Sequence, residues 1–186
     1  METFFTSDLH FGHKNVLRFD DRPFTSVEEM DAAIIKNWND RVGKTDRAYI
    51  LGDVSWYNTR KTEELLGSLN GHKILIAGNH DNKILSAARR TCDSVTEYQE
   101  LHLDGNQHLV MMHYPITFFN RHHYGAVMLY GHVHNSHEWQ FVKNYQRELH
   151  ELDIKCDMCN VGTMVWDYKP VTYEEIRDRI KSWGCA

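Results

Sequence analysis

The amino-acid sequence predicts an α/β fold in which two sheets pack face to face with helices outside. Three observations carry that expectation. Five short apolar runs, at residues 3–7, 47–51, 73–77, 109–112 and 127–130, have strand length, and each ends in a polar cluster. Helical periodicity fills the gaps between and after the first three runs, the alternation that builds a parallel sheet. The second half of the chain is dominated instead by strand-like runs and turns.

Taken in order, residues 3–7 form a strand that ends at Asp8-Leu9-His10. Ser26-Val27-Glu28-Glu29 has capping-box spacing, and Val27, Met30, Ile34, Ile35 and Trp38 recur at helical intervals, which predicts a helix over 27–42. The strand at 47–51 leads to Gly52-Asp53. A helix over 62–69 is stopped by Asn70-Gly71, the strand at 73–77 runs into Gly78-Asn79-His80-Asp81, and a further helix covers 83–90. Strands follow over 96–103, 109–112, 127–130, 138–142 and 156–161, with turns at Asp104-Gly105 and around Gly125. Residues 143–151 alternate in charge without a strong apolar stripe and read as a solvated loop. A helix over 172–183, with Thr172 as N-cap, closes the chain. Without repeats or linker-like tracts, residues 1–186 are expected to form one domain.

A net charge of −5 gives no basic footprint for tracking extended nucleic acid, but leaves room for a short phosphorylated ligand held by metals. No apolar run has bilayer-spanning length, and Met1-Glu2-Thr3-Phe4-Phe5 lacks the start of a signal peptide, so a cytoplasmic location without membrane contact is expected. There Cys92, Cys156, Cys159 and Cys185 are expected as thiols. Cys156 and Cys159 form a C-x-x-C with nothing nearby to complete a zinc site or a redox motif. They read as two thiols in or near a strand.

The compositional excess is histidine, at 13 residues. Strands of an α/β sheet gather their C-terminal ends along one rim, where ligand sites form, so Asp8, His10, Asp53, Asn79, His113, His132 and His134 are expected to converge. In an extended segment residues two apart point the same way, and Asp8 with His10, or His132 with His134, would grip one ion together. A lone D-x-H or H-x-H is weak, because a single strand histidine is more often a hydrogen-bonded core or surface residue. Five clusters after five strands outweigh that reading. Gly52, Gly78 and Gly131 directly precede candidate ligands, where a tight backbone lets loops crowd one centre. Imidazoles and carboxylates without thiolates suit manganese, iron, zinc, cobalt or nickel. Trp56 and Tyr57, after Asp53, leave room for an exposed aromatic patch, either a dimer contact or a substrate wall.

Together and in order, Asp8-x-His10, Gly52-Asp53, Gly78-Asn79-His80-Asp81, His113 and Gly131-His132-x-His134 resemble the calcineurin-like metallophosphoesterase superfamily across residues 8–134. The flanking Thr6-Ser7-Asp8-Leu9-His10-Phe11-Gly12-His13-Lys14-Asn15, Arg22-Pro23-Phe24, Trp38-Asn39 and Asn160-Val161-Gly162 resemble a small bacterial and phage branch of it. Where that branch often continues with a hydrophobic residue and aspartate, this chain has Thr163-Met164. The resemblance implies a four-layer α-β-β-α sandwich of two mixed sheets with flanking helices, the metal site lying at the strand C-terminal ends. It implies that Asp8, His10 and His134 hold one divalent ion, Asn79, His113 and His132 a second, and that Asp53 bridges them, with manganese the first expectation. Two divalent ions set against two carboxylates and one hydroxide would leave the centre net positive, ready for a phosphoryl group.

The implied reaction is hydrolysis of a phosphate mono- or diester by a metal-bridging hydroxide. His80 would protonate the leaving oxygen or stabilise its charge, and Asp81 would orient His80, helix N-capping being the plainer role for Asp81. Substrate contacts are expected from His13, Asn15, Arg18 and Arg22 after the first motif, and from Arg121, His122 and His123 after His113, although each also suits a solvated loop. A small phosphorylated substrate is the expected partner. The alternatives are a binding scaffold that keeps the fold, which the presence of His80 disfavours, and a nuclease, which the short span from Asp81 to His113 and the acidic balance disfavour.

Overall fold

Strands whose successive side chains both enter apolar surroundings must be covered on both faces. In the computed structural model, which describes residues 1–182, β1 (Thr3–Thr6) places Phe4 in one buried cluster and Phe5 in another. It pairs in parallel with β2 (Arg47–Ile50), which pairs in parallel with β3 (His72–Ile76), and that with β4 (Ser94–Thr96). A second sheet contains β5 (Tyr98–Leu103), β6 (Gln107–Met112), β7 (Val127–Tyr130) and β8 (Asp157–Asn160), in that order. Its β6, β7 and β8 are parallel and β5 is antiparallel. The short β9 (Val171–Thr172) returns antiparallel beside β1, so both sheets are mixed.

Phe5, Tyr49, Leu51, Ile74 and Ile76 from the first sheet meet Leu109, Met111, Val127 and Leu129 from the second, and this inter-sheet layer is the central core. Each such side chain contributes roughly 1.5–3 kcal/mol when fully buried. The alternate residues Phe4, Ala48, Ile50 and Leu75 face outward, under Met30, Ile34 and Trp38 of a helix over Val27–Arg41. In chain order the helices are α1 (Val16–Phe19), α2 (Val27–Arg41), α3 (Thr59–Ser68), α4 (Leu85–Thr91), α5 (His137–Glu151) and α6 (Tyr173–Ser182). Helices α2, α3 and α4 cover the first sheet, α5 covers the second through Leu149, and α6 inserts Ile176 and Ile180 into the central cluster. No described helix is long and apolar enough to cross a membrane.

Several expectations change in detail. Residues 138–142 and 143–151, expected as strand and loop, are one helix, α5, started by Ser136, whose Oγ accepts the Glu138 N–H at 3.1 Å. The run 96–103 is two strands: β4 ends at Thr96, and β5 begins the other sheet at Tyr98. Helix α3 starts three residues earlier than expected because Asn58 Oδ1 accepts the Lys61 N–H at 2.9 Å. The helix expected over 83–90 is a 3-10 turn, Asp81–Lys83, followed by α4. Ser26 caps α2, but Glu29 accepts from the backbone and hydroxyl of Thr25 rather than completing a box on Ser26. Thr172 does cap α6, in a reciprocal pair with Glu175. The end of that predicted helix at Trp183, and Cys185, lie outside the described residues. Cys156 packs in the outer cluster and Cys159 between the sheets, so the C-x-x-C presents no shared site; burial pushes their thiols up to about 11 and about 12.

Candidate metal centre

The loops that leave the strand ends are stitched to one another. Asp8 N–H donates to the Gly52 carbonyl at 3.0 Å, His10 N–H to that of Asp53 at 3.0 Å, and Gly131 N–H to that of His113 at 2.9 Å. Ser7 and Gly162 form a parallel bridge that joins the rims of the two sheets. The candidate ligands do not sit in extended backbone, as the spacing of D-x-H and H-x-H suggested. Asp8, His10, Asp53, His132 and His134 all have left-handed φ, at 55°, 54°, 55°, 69° and 48°. Each such residue costs roughly 1–2 kcal/mol, so the fold holds strain where these side chains converge. Space is equally tight. A Cβ on Gly52, at φ +83°, would lie 2.5 Å from His113 Nδ1, and one on Gly131 would overlap the Asp8 carboxylate and the Ser7 hydroxyl.

One donor group comprises Asp8, His10 and His134, whose ligand atoms all lie within 4.8 Å of one another. His10 Nε2 faces His134 Nε2 at 3.2 Å, and Asp8 Oδ1 lies 3.5 Å from His134 Nε2. The ring of His134 is oriented by Asp20, which accepts from Nδ1 at 2.7 Å, leaving Nε2 of the neutral ring as a lone pair aimed inward. Burial would lower the His134 pKa, but the Asp20 hydrogen bond and the Asp8 charge raise it. Burial holds His10 well below the ordinary imidazole range and pushes Asp8 up against the opposing influence of His134.

The second gathering is Asn79, His113 and His132. Asn79 Oδ1 lies 3.0 Å from His113 Nε2 and 3.1 Å from His132 Nδ1. His113 Nδ1 donates to the Leu51 carbonyl at 2.7 Å, so its Nε2, when neutral, meets an amide oxygen lone pair to lone pair. Burial lowers the His132 pKa. Asp53 stands between the groups, with Oδ2 3.8 Å from His10 Nε2 and Oδ1 3.6 Å from His113 Nε2. Buried carboxylates beside imidazoles whose inner nitrogens converge are a donor set that a cation satisfies. The residues present therefore fit metal binding.

Around these donors lie residues that the sequence did not single out in this role. Asp20 is buried and bonded to Arg22 Nε at 3.0 Å, while Arg22 also donates to the carbonyls of Asp8 at 2.9 Å and Leu9 at 3.0 Å. Arg22 is thus a buried brace, and the expectation that it faces substrate is corrected, since its donors are spent on backbone and on Asp20. Asn160 Nδ2 donates to the His134 carbonyl at 2.8 Å. The Asp20-Asp21-Arg22-Pro23 run, opposite charges two apart before a proline, was the only trace of this brace in the sequence.

Asp81 is also reassigned. Its carboxylate neither orients His80 nor caps a helix; it accepts the N–H groups of Asp53 at 2.9 Å, Val54 at 2.9 Å and Gly78 at 2.8 Å, which fixes two ligand loops together. Burial raises its pKa against those bonds. His80 is exposed, and its backbone N–H donates to Asp53 Oδ1 at 3.1 Å. His13 is at the site, with Nδ1 3.3 Å from His10 Nδ1 and its ring stacked on Trp56 at 4.0 Å. Trp56 also lies 4.6 Å from the rings of His10 and His80. Asn15 and Arg18 are exposed beside and on α1, and Arg121 lies over the Tyr124 ring. His122 is buried against Phe118 and Phe119 with Nδ1 donating to the Lys155 carbonyl at 2.8 Å, which corrects its expected place on a substrate wall.

No family model matches the chain. It is 34% identical over 174 residues to the uncharacterised protein MJ1445 of Methanocaldococcus jannaschii, covering 91% of this chain and 86% of that one. The gene 66 protein of Mycobacterium phage L5 is 29% identical, covering 96% and 93%, and that of Mycobacterium phage D29 is 32% identical, covering 70% and 77%. The crystal structure of AQ665, a protein of unknown function from Aquifex aeolicus, superposes with a TM-score of 0.73 at 24% identity, covering 96% of this chain and 98% of that one, a likeness of fold. The chain belongs to the same family as MJ1445 and the phage D29 gene 66 protein.

Proposed function

We propose that this member of the family hydrolyses phosphate esters with the help of two divalent cations, and that its resemblance to the calcineurin-like metallophosphoesterases extends to the four-layer α-β-β-α architecture. The observation that carries this reading is the meeting of two donor sets around a shared carboxylate, Asp53, drawn from loops that follow five strands. Asp8, His10 and His134 would hold one divalent cation and Asn79, His113 and His132 a second, and cations bound there would supply an acidified water and a clamp on phosphoryl oxygens. Manganese is the first candidate, and iron, zinc, cobalt and nickel suit the same nitrogen and oxygen donors.

The chain's own groups divide the remaining work. Asn79 contributes an oxygen without charge, so the donor set leaves an anionic substrate attracted rather than repelled. His80 follows Asn79 directly, its backbone pinned to Asp53 and its ring turned to solvent beside Trp56. A ring so placed hands a proton to a departing ester oxygen at the mouth of the site. Asp81 holds the Asp53 and Gly78 loops in register, and the Arg22–Asp20 pair holds His134.

The test is hydrolysis of p-nitrophenyl phosphate, its bis-ester and phenyl phosphate by purified protein, with manganese and after chelation. Manganese-dependent turnover is expected, abolished in Asp53→Ala; His80→Ala should lower it by about a hundredfold or more on phenyl phosphate, whose poor leaving group needs a proton, and by less on the p-nitrophenyl esters, whose phenolate departs unprotonated. Turnover that survives both substitutions unchanged rules the reading out.

A further inference from the structure

Among the described residues, one groove reaches Asn79 and another reaches His132 and His134, with Asn79 and His132 in contact between them. One, of about 420 Å³, runs from Asn79 past Tyr114 toward Arg89; the other, of about 410 Å³, runs from His132 and His134 past Phe19 toward His137. Either volume suffices for a group the size of a nucleoside. Each groove carries an aromatic ring at its inner end. Tyr114 is 38% exposed with its ring 4.6 Å from that of His132, and Phe19 is 56% exposed with its ring 5.7 Å from that of His134.

Tyr114 and Phe19 stand directly beside ligand-type histidines, where an arm of a bound substrate would meet an aromatic ring. A planar ring such as a nucleobase gains from an aromatic face by stacking. Both grooves touch ligand-type residues. A phosphate monoester has one ester arm and fills one groove; a diester has two arms with phosphorus between them.

We propose that the site takes a phosphodiester whose two arms lie one in each groove, with at least one arm ending in a planar ring such as a nucleobase. This rests on the phosphoesterase reading. In the reaction, water oxygen bonds to phosphorus, one ester P–O bond breaks, and the departing oxygen takes up a proton, leaving a phosphate monoester and an alcohol. The net charge of −5 keeps the substrate short, since extended nucleic acid would be repelled beyond the grooves.

The manganese-loaded protein tests this with three substrates that share one leaving group: p-nitrophenyl phosphate, methyl p-nitrophenyl phosphate and thymidine 5′-(p-nitrophenyl phosphate). Because p-nitrophenolate departs from all three, differences report on the other arm. The thymidine diester should exceed the methyl diester in kcat/KM by about tenfold or more, the size expected from one stacked base. That ratio should fall at least about threefold in Phe19→Ala or Tyr114→Ala, whichever groove takes the nucleoside; both side chains are exposed, so circular dichroism should confirm unchanged folding. Equal rates for the two diesters, a preference for the monoester over both, or a ratio that neither substitution moves overturns the proposal and leaves hydrolysis standing. No manganese-dependent hydrolysis of any of the three removes the phosphoesterase reading, and this proposal with it.

Discussion

The two donor sets of the candidate centre are built differently. Asp8, His10 and His134 are packed from behind: Ser7 donates to Asp8, Asp20 orients His134, Arg22 ties Asp20 to the Asp8-Leu9 turn, and Asn160 holds the His134 carbonyl. Asn79, His113 and His132 have one buried member, His113, fixed by a single backbone carbonyl, while Asn79 is exposed and His132 only partly covered. Bracing sets affinity, because a ligand already held in its bound orientation loses little freedom on binding. On the proposed two-cation reading, the braced set would fill first. The open set contributes Asn79 to one groove and His132 to the other, where the proposed substrate would arrive.

Removing the brace should have the largest effect. Arg22→Ala strands the buried Asp20 carboxylate and frees the Asp8-Leu9 turn, a loss of about 3–5 kcal/mol. For a chain of this length that lowers Tm by roughly 10 °C in calorimetry. A melting curve like that of the parent would mean the brace is decorative. Asp20→Asn keeps the shape and removes the charge behind His134. Calorimetric manganese titration should then show the tighter of two binding events weakened by about tenfold, with the weaker one unmoved; equal weakening of both would erase the distinction between the sets.

On the open side, Asn79→Asp adds a carboxylate and cancels the charge that attracts a phosphoryl group. Inhibition by inorganic phosphate should weaken by about tenfold while the second cation binds more tightly, and an unchanged inhibition constant would place phosphate elsewhere. The smallest effect lies away from both sets. Gly67 sits exposed in α3 with nothing within 4 Å of an added Cβ, so Gly67→Ala should raise stability by about 0.5 kcal/mol with manganese affinity unchanged.

What the sequence made legible follows the same division. The five strands and the polar residues at their ends could be read directly, because apolar run length and alternation carry that information and the ligand types stand out against them. The geometry that brings the ligands together could not, since left-handed φ at Asp8, His10, His132 and His134 leaves no periodic signature. Nor could the brace be read, as Asp20 and Arg22 look like loop charges until burial pairs them. Helix α5 is hidden in the sequence for a plainer reason. Trp139, Val142, Tyr145, Gln146 and Leu149 do face inward at helical spacing, but Gln146 interrupts the stripe and Phe141, 73% exposed, falls outside it. Trp139, Phe141 and Val142 together then imitate a strand.

The proposed mechanism needs a pair of cations that share Asp53. Crystals grown with manganese and measured at its absorption edge should give two anomalous peaks roughly 3.5–4 Å apart. One should lie among Asp8, His10 and His134, the other among Asn79, His113 and His132, with an Asp53 oxygen reaching each. Manganese absent from these residues, or bound where Asp53 reaches neither peak, contradicts it.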